Sequence, residues 1–129
     1  MGTFAAHIQV GDPDGTRFES VDAMVDTGST YTWVPGDILA GLGVARQFQR
    51  EFVTADGRVI ERDVAHTWIS YDGNAHITFV VFADEGSAPL LGAYALEGFG
   101  LAADPLSRKL VPVRGLALSI VGTYRAIDN

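Results

Sequence analysis

The residues of this chain best suited to chemistry end a hydrophobic run, in the order Asp26-Thr27-Gly28-Ser29. Residues 23–25 before them are apolar, which predicts a buried strand that delivers the Asp26 carboxyl group into a turn. An ionisable group at the end of a buried strand costs free energy unless it is hydrogen-bonded or has a functional role. Gly28 lets the backbone fold closely around the carboxyl group, and Thr27 and Ser29 add hydroxyls that can bond to the turn. General acid–base catalysis is the chemistry that such a positioned carboxyl group offers.

A second acidic stretch, Asp12-Pro13-Asp14-Gly15-Thr16, matches the nucleophile motif Asp-x-Asp-Gly-Thr of haloacid-dehalogenase-type phosphatases. That motif should follow a buried parallel strand in a larger α/β domain, whereas here it separates two strand-like segments near the start of a short chain. We therefore interpret it as a hairpin turn. The stretch also lacks the bidentate Glu that would complete a calcium loop.

Other residue types that could form a site are scattered. His7, His66 and His76 lie far apart without ligand spacing, so we predict no metal site. Ser29 has no Gly-x-Ser-x-Gly frame, which argues against a serine hydrolase. The chain has no cysteine, which excludes disulfides and cysteine nucleophiles, and we expect no cofactor.

The composition is that of one acidic domain with its own core. Of 129 residues, 47% are hydrophobic and 19% charged, so disorder is not expected. The net charge of -7 and the lack of a basic run make nucleic acid and anionic membranes poor partners. No apolar run could span a bilayer and residues 1–7 show no signal-peptide pattern, so a cytoplasmic location is the expectation.

Short strands are predicted on both sides of the Asp-Thr-Gly turn. Alternating and β-branched residues predict strands over 4–10, 18–25 and 31–34. Residues 35–43 predict a short helix, with Asp37 as its candidate N-cap.

Two Asp-Gly dipeptides predict two hairpins in the middle of the chain. The first has its tip at Ala55-Asp56-Gly57, and its polar arms favour a projecting hairpin. The second turns at Asp72-Gly73, and its apolar arms are expected in the core. The predicted arms are residues 48–54 and 58–64, then residues 67–71 and 75–82.

Leu90-Leu91-Gly92 is predicted to end a short buried strand, and a helical turn over 93–97 is expected to stop at Gly98. The remaining predicted segments are two closing strands and one more apolar run, at 101–104, 109–113 and 116–121. Many short strands separated by turn signals predict an all-β, barrel-like domain with one or two short helices.

In this order the elements resemble the retropepsin fold of retroviral-type aspartic proteases, and most of all their bacterial and archaeal single-domain members. The resemblance assigns residues 1–113 to the protease domain and 114–129 to a C-terminal extension. It implies that Leu90-Leu91-Gly92 packs beneath the active-site loop. It also implies that the hairpin with its tip at 55–57 is a flap that closes over the substrate.

Only one Asp-Thr-Gly occurs in the chain, whereas the aspartic-protease dyad needs two carboxyl groups. The resemblance therefore implies a homodimeric endopeptidase in which Asp26 of each subunit acts on a water that attacks a peptide bond. Thr27 would link the two loops, Gly28 would admit the substrate backbone, and Ser29 would hydrogen-bond near Asp26. A peptide or protein substrate would bind as an added strand, without metal or cofactor. The closing strands, with or without 116–121, are expected at the dimer interface.

The sequence also departs from the viral pattern. Viral members often pair an acidic residue after Asp-Thr-Gly with an Arg after the apolar-apolar-Gly segment. Here the region after Asp-Thr-Gly-Ser contains Thr30 and Tyr31, and the region after Leu-Leu-Gly contains Ala93 and Tyr94. None of these residues is charged, so that ion pair cannot form. The alternative to an enzyme is a catalytically silent module of the same fold that dimerises or binds peptides.

Overall fold

The computed structural model describes residues 4–115, which contain nine strands and two short helices. The strands are β1 (Ala5–Gly11), β2 (Phe18–Val25), β3 (Thr32–Pro35), β4 (Phe48–Val53), β5 (Val59–Tyr71), β6 (Asn74–Ala83), β7 (Leu90–Leu91), β8 (Leu101–Asp104) and β9 (Lys109–Pro112). The helices are α1 (Gly36–Gly41) and α2 (Ala93–Phe99). The predicted all-β class with short helices is confirmed. The apolar run at 116–121 lies outside the described residues.

Seven strands form one sheet in the order β1-β2-β7-β3-β6-β5-β4, while β8 and β9 pair with each other in a separate hairpin. The sheet curls back on itself, because β1 also pairs with β5 through Gln9 opposite Ser70 and Val10 opposite Ile69. Short β7 lies between β2, to which it runs parallel, and β3, to which it runs antiparallel. This order places the strands before and after the Asp26 turn on either side of Leu90-Leu91.

The core lies inside the curled sheet, because apolar side chains alternate along the strands with period two. Helix α1 adds Leu39 to this core and α2 adds Leu96. The largest fully buried apolar side chains are Ile8, Val10, Val34, Leu39, Val64, Ile69, Val80, Val81 and Leu91.

The stretch 12–16 is a hairpin turn, as predicted. The Asp12 carboxylate accepts hydrogen bonds from the Thr16 amide at 2.8 Å, the Thr16 hydroxyl at 2.9 Å and the Arg17 amide at 3.1 Å. The backbone bonds from Arg17 and Thr16 hold the pKa of Asp12 below its usual value, since they favour the charged form. This carboxylate is therefore occupied in ordering the turn between β1 and β2.

The predicted division of residues 58–71 into two strands is wrong, because β5 runs unbroken from Val59 to Tyr71. Residues 59–64 of β5 pair with β4, and residues 64–71 pair with β6. No turn residue separates the two predicted segments, and Ala65 is buried while His66 is exposed. Val64 and Ala65 are both buried, so the alternation is interrupted there, and the continuous pairing with β6 keeps the strand unbroken.

The predicted start of the first helix and the predicted end of the second helix need correction. The N-cap of α1 is Pro35, while Asp37 lies within the first turn and makes no capping hydrogen bond. Helix α2 continues through Gly98 and ends at Gly100, whose φ of 69° is the left-handed conformation that glycine adopts readily at a helix end. Gly98 is therefore an interior helical residue.

The closing strands are present as the β8–β9 hairpin. Leu101, Ala103 and Leu110 pack against the core, and the Val113 amide donates a 2.9 Å hydrogen bond to the Gly100 carbonyl. Within residues 4–115, none of the helices has the length and apolar character needed to cross a membrane.

Candidate active site

Asp26 is the first residue of the loop that joins β2 to β3, here called the Asp26 loop (residues 26–31). Its side chain is half-buried, and one carboxylate oxygen accepts a 3.0 Å hydrogen bond from the Gly28 amide. Its backbone amide donates to the Leu91 carbonyl at 3.0 Å, and its carbonyl accepts from the Ser29 amide at 3.1 Å. The strand end, the turn and β7 therefore fix where this carboxylate lies.

The segment Leu90-Leu91-Gly92 lies directly beneath the Asp26 loop. A β-carbon on Gly92 would lie 2.3 Å from the Tyr31 carbonyl oxygen and 2.8 Å from that of Ser29, so only glycine fits without a backbone shift. The Gly92 amide donates a 3.1 Å hydrogen bond to the buried hydroxyl of Thr32. Strand β7 and the start of β3 thus hold this glycine against the loop.

Helix α2 begins against the other side of the same loop. The Ala93 amide donates to the Ser29 carbonyl at 2.8 Å, and the Tyr94 amide donates to the Thr30 carbonyl at 3.0 Å. These donors belong to the first turn of a helix, where amides have no partner within the helix. The hydrogen bonds satisfy the Ala93 and Tyr94 amides and connect the loop to the helix.

The other residues of the motif take different positions. The Ser29 hydroxyl donates to the Tyr31 carbonyl at 2.9 Å and not to the Asp26 carboxylate. Thr27 and Gly28 are exposed, at the tip of the loop. Their exposure leaves room for contact with a second protein chain or a substrate.

The β4–β5 hairpin projects beside the loop and has an ordered tip. Gly57 has a φ of 85° and its amide donates to the Thr54 carbonyl at 2.9 Å. The Asp56 carboxylate accepts from the Thr54 hydroxyl and from Arg58 Nε, the latter at 3.0 Å. The Thr54 hydroxyl and then Arg58 hold the pKa of Asp56 below its usual value. Ala55, at the same tip, is exposed.

A cleft of about 320 Å³ separates the Asp26 loop from strand β4. Residues 28–30 line one side, residues 50–53 of β4 line the other, and Trp33 also contributes. A larger cleft of about 470 Å³ lies beside α1 among charged residues and contains no residue of the Asp26 loop. Because residues 28–30 of the Asp26 loop line the smaller cleft, it is the candidate substrate site.

Sequence reasoning missed an aromatic cluster that supports the loop. The ring of Tyr31 stacks on Phe79 at 4.6 Å between centroids and meets Tyr94 edge-on at 6.2 Å. Phe52 of β4 reaches the edge of Tyr31 at 5.9 Å. The contact between Tyr31 and Tyr94 means that aromatic packing connects the loop to helix α2. The one local signal was the aromatic residue two positions after Ser29.

The histidines have separate neighbours. His7 contacts Asp22 at 2.9 Å, His66 contacts Gln47 at 2.8 Å, and His76 packs on Phe99. Across residues 4–115, no three His, Cys, Asp or Glu side chains are grouped so that they could hold a metal ion.

Fold and site together define a retropepsin-like aspartyl protease domain. The chain belongs to this family, since the family model described as "Aspartyl protease" matches residues 8–95, a range that includes both the Asp26 loop and Gly92. Among solved structures, the chain is similar to the protease of simian foamy virus (mac), studied in solution. The TM-score is 0.53 at 19% identity, over 74% of this chain and 94% of the viral one. This likeness confirms the predicted retropepsin-like fold. No curated protein matches the chain.

Proposed function

We propose that the protein is a homodimeric aspartic endopeptidase whose catalytic dyad consists of Asp26 from each subunit. The observation that carries the proposal is the placement of the Asp26 carboxylate. It is oriented by the Gly28 amide, on a loop held from below by Gly92, next to a cleft bordered by the β4–β5 hairpin. Family membership supports the same chemistry.

A dimer is needed because each chain contributes one carboxyl group of the required kind. The exposed Thr27 and Gly28 at the tip of the loop leave space for the same loop of a partner. Apolar side chains on and after the β8–β9 hairpin offer further contact area, since Leu106 is 94% exposed and Val113 is 48% exposed. We propose that this hairpin, together with the extension at 114–129, covers part of the interface and that residues 1–113 form the protease domain.

The chemistry needs one ionised and one protonated Asp26. As is established for aspartic proteases, two adjacent carboxyl groups share one proton, since like charges so close cannot both ionise. The ionised Asp26 takes a proton from water, and the water oxygen bonds to the scissile carbonyl carbon. The protonated Asp26 gives its proton to the carbonyl oxygen. The Asp26 that took the water proton passes it to the amide nitrogen, and a hydroxyl of the tetrahedral diol returns a proton to the other Asp26. The C–N bond then breaks, which releases acid and amine and leaves the dyad with one proton.

The proposed reaction is tested with a peptide library incubated with the wild type and with Asp26→Asn from mildly acidic to neutral pH. The cleavage products are identified by mass spectrometry. Asp14→Asn, which removes an exposed carboxylate in the β1–β2 turn, is the matched control. We expect the wild type and the control to make the same cuts and Asp26→Asn to make none. Peptide binding without cleavage by folded, dimeric wild type would favour a binding module instead.

A further inference from the structure

Arg50 lies on the face of strand β4 that borders the candidate substrate cleft. Its neighbour two residues on, Phe52, packs edge-on against Trp33 at 5.0 Å between ring centroids. The Arg50 guanidinium lies 5.5 Å from the centroid of Tyr31, the last residue of the Asp26 loop. Because side chains alternate along a strand, Arg50 and Phe52 point to the same side, toward the loop.

The positive charge of Arg50 has no carboxylate partner within residues 4–115. The ion pairs there use other cationic side chains, namely His7, Arg46, Arg58 and Arg62. Arg62 stands opposite Arg50 on β5, but its guanidinium pairs with Asp84 at 3.3 Å and leaves Arg50 unneutralised. Glu51 also lines the cleft and stands across from Glu61 on β5, but within the described residues it forms no ion pair with Arg50.

The cleft therefore combines the unpaired guanidinium of Arg50 with the carboxylate of Glu51 and a half-buried apolar wall formed by Trp33 and Phe52. Only the guanidinium borders the Tyr31 ring, so it is the group next to the Asp26 loop. A guanidinium matches the planar geometry of a carboxylate and binds it through two parallel hydrogen bonds. Arg50 and Phe52 are two residues apart on one strand face. An extended peptide presents side chains on one face with the same spacing, so two of its side chains can meet both residues.

We propose that Arg50 is a specificity-determining residue that selects peptides carrying Asp or Glu two positions from a large apolar residue. The proposal rests on the proposed function, since it assigns the substrate class of the same site. Arg50 recognises the acidic side chain, while Trp33 and Phe52 receive the apolar one. The overall charge of the protein is -7, so a local cation is what allows an acidic peptide to approach.

The test uses three peptides based on the best-cleaved library sequence. They differ only at the position proposed to bind Arg50, which is Glu, Gln or Lys. For the wild type we expect kcat/KM to be about tenfold higher for Glu than for Gln, the effect of one charged hydrogen bond. Arg50→Gln should bring this ratio to about one, and Arg50→Glu should make Lys the preferred residue. Arg17→Gln, just before β2 and at the opposite end of that strand from Asp26, is the matched control and should keep the wild-type ratio. An unchanged ratio in Arg50→Gln would overturn the proposal.

A binding measurement separates failure of this proposal from failure of the proposed function. The same three peptides, or their equivalents built on the library sequence that Asp26→Asn binds best if the wild type cleaves none, are titrated as fluorescent conjugates into Asp26→Asn and into the double variant Asp26→Asn/Arg50→Gln. Preferential binding of the Glu peptide, lost in the double variant, supports the role of Arg50 even if wild type cleaves nothing. Equal binding of the Glu and Gln peptides overturns it, whether or not the wild type is active.

Discussion

Gly92 lies so close to Tyr31 that a β-carbon on the glycine would stand 2.3 Å from the tyrosine carbonyl oxygen. The contact joins the segment after β7 to the last residue of the Asp26 loop. The hydrogen bonds from Ala93 to Ser29 and from Tyr94 to Thr30 continue the same junction. The loop that carries Asp26 is therefore supported by a segment far away in sequence, and disturbing that segment should disturb the carboxylate.

Gly92→Ala is expected to reduce both stability and activity. The added methyl would overlap backbone atoms, and overpacking of this kind costs about 1–3 kcal/mol. Gly98→Ala is the matched control, because nothing lies within 4 Å of its added β-carbon and the residue is inside α2. It should be neutral or stabilise the fold by up to about 1 kcal/mol. Urea denaturation and peptide cleavage measure both effects, and equal behaviour of the two variants would contradict the assigned role of Gly92.

Thr32→Val should destabilise the protein through a lost hydrogen-bond acceptor. The Gly92 amide is buried and donates to the Thr32 hydroxyl at 3.1 Å, so valine would leave it unsatisfied at a cost of about 1–3 kcal/mol. Thr32→Ser retains the hydroxyl, so its stability should fall by less than that of Thr32→Val. Free energies of unfolding from urea titrations provide the comparison. A valine variant more stable than the serine variant would show that this bond does not matter.

Asp12→Asn should lower stability in a way that depends on pH. The pKa of Asp12 in the folded protein is below its usual 3.8, so its charged form stabilises the fold above that pH. This contribution falls away as the pH drops through the lowered pKa. We expect the denaturation midpoint of Asp12→Asn to be below that of wild type at neutral pH and the gap to narrow well below pH 3.8. Asp14→Asn, in the same turn but exposed, should show no such change.

Asp56→Ala is expected to loosen the tip of the β4–β5 hairpin. The carboxylate accepts hydrogen bonds from Thr54 and Arg58 across the turn, and alanine removes both. Faster amide hydrogen exchange should be confined to the tip, residues 54–58, with the core strands unchanged. If the hairpin closes over substrate, KM should rise more than kcat falls. Exchange rates at the tip equal to those of wild type would show that other contacts order it.

Local signals in the sequence predicted much of the fold. The apolar run before Asp26, the Asp-Gly turns and the alternation in β1 each depend on neighbouring residues, and each was found in the structure. The break predicted near Ala65 and the helix stop at Gly98 were wrong. Tertiary pairing carries β5 across residues that look polar, and a helix tolerates an interior glycine when a better stop follows at Gly100.

The contacts that hold the Asp26 loop in place could be predicted from the sequence only in part. Packing of Gly92 beneath the loop was expected from the resemblance alone, and in the structure Gly92 lies against the backbone carbonyls of Ser29 and Tyr31. The stacking of Tyr31 on Phe79 and the placement of Arg50 over Tyr31 were not foreseen. These contacts join the Asp26 loop to β4 and β6, and a sequence pattern cannot show which distant side chains meet until the strand order is known.

The most direct test of the central claim is the activity of a mixed dimer that contains one wild-type and one Asp26→Asn subunit. The two subunits carry different affinity tags, and the mixed species is isolated by two successive purifications. If one Asp26 from each subunit forms the dyad, the mixed dimer should show no cleavage, and a series of mixtures should lose activity as the square of the wild-type fraction. A mixed dimer with half the wild-type activity, or a linear loss across the mixtures, would show that each chain works alone and would contradict the shared dyad.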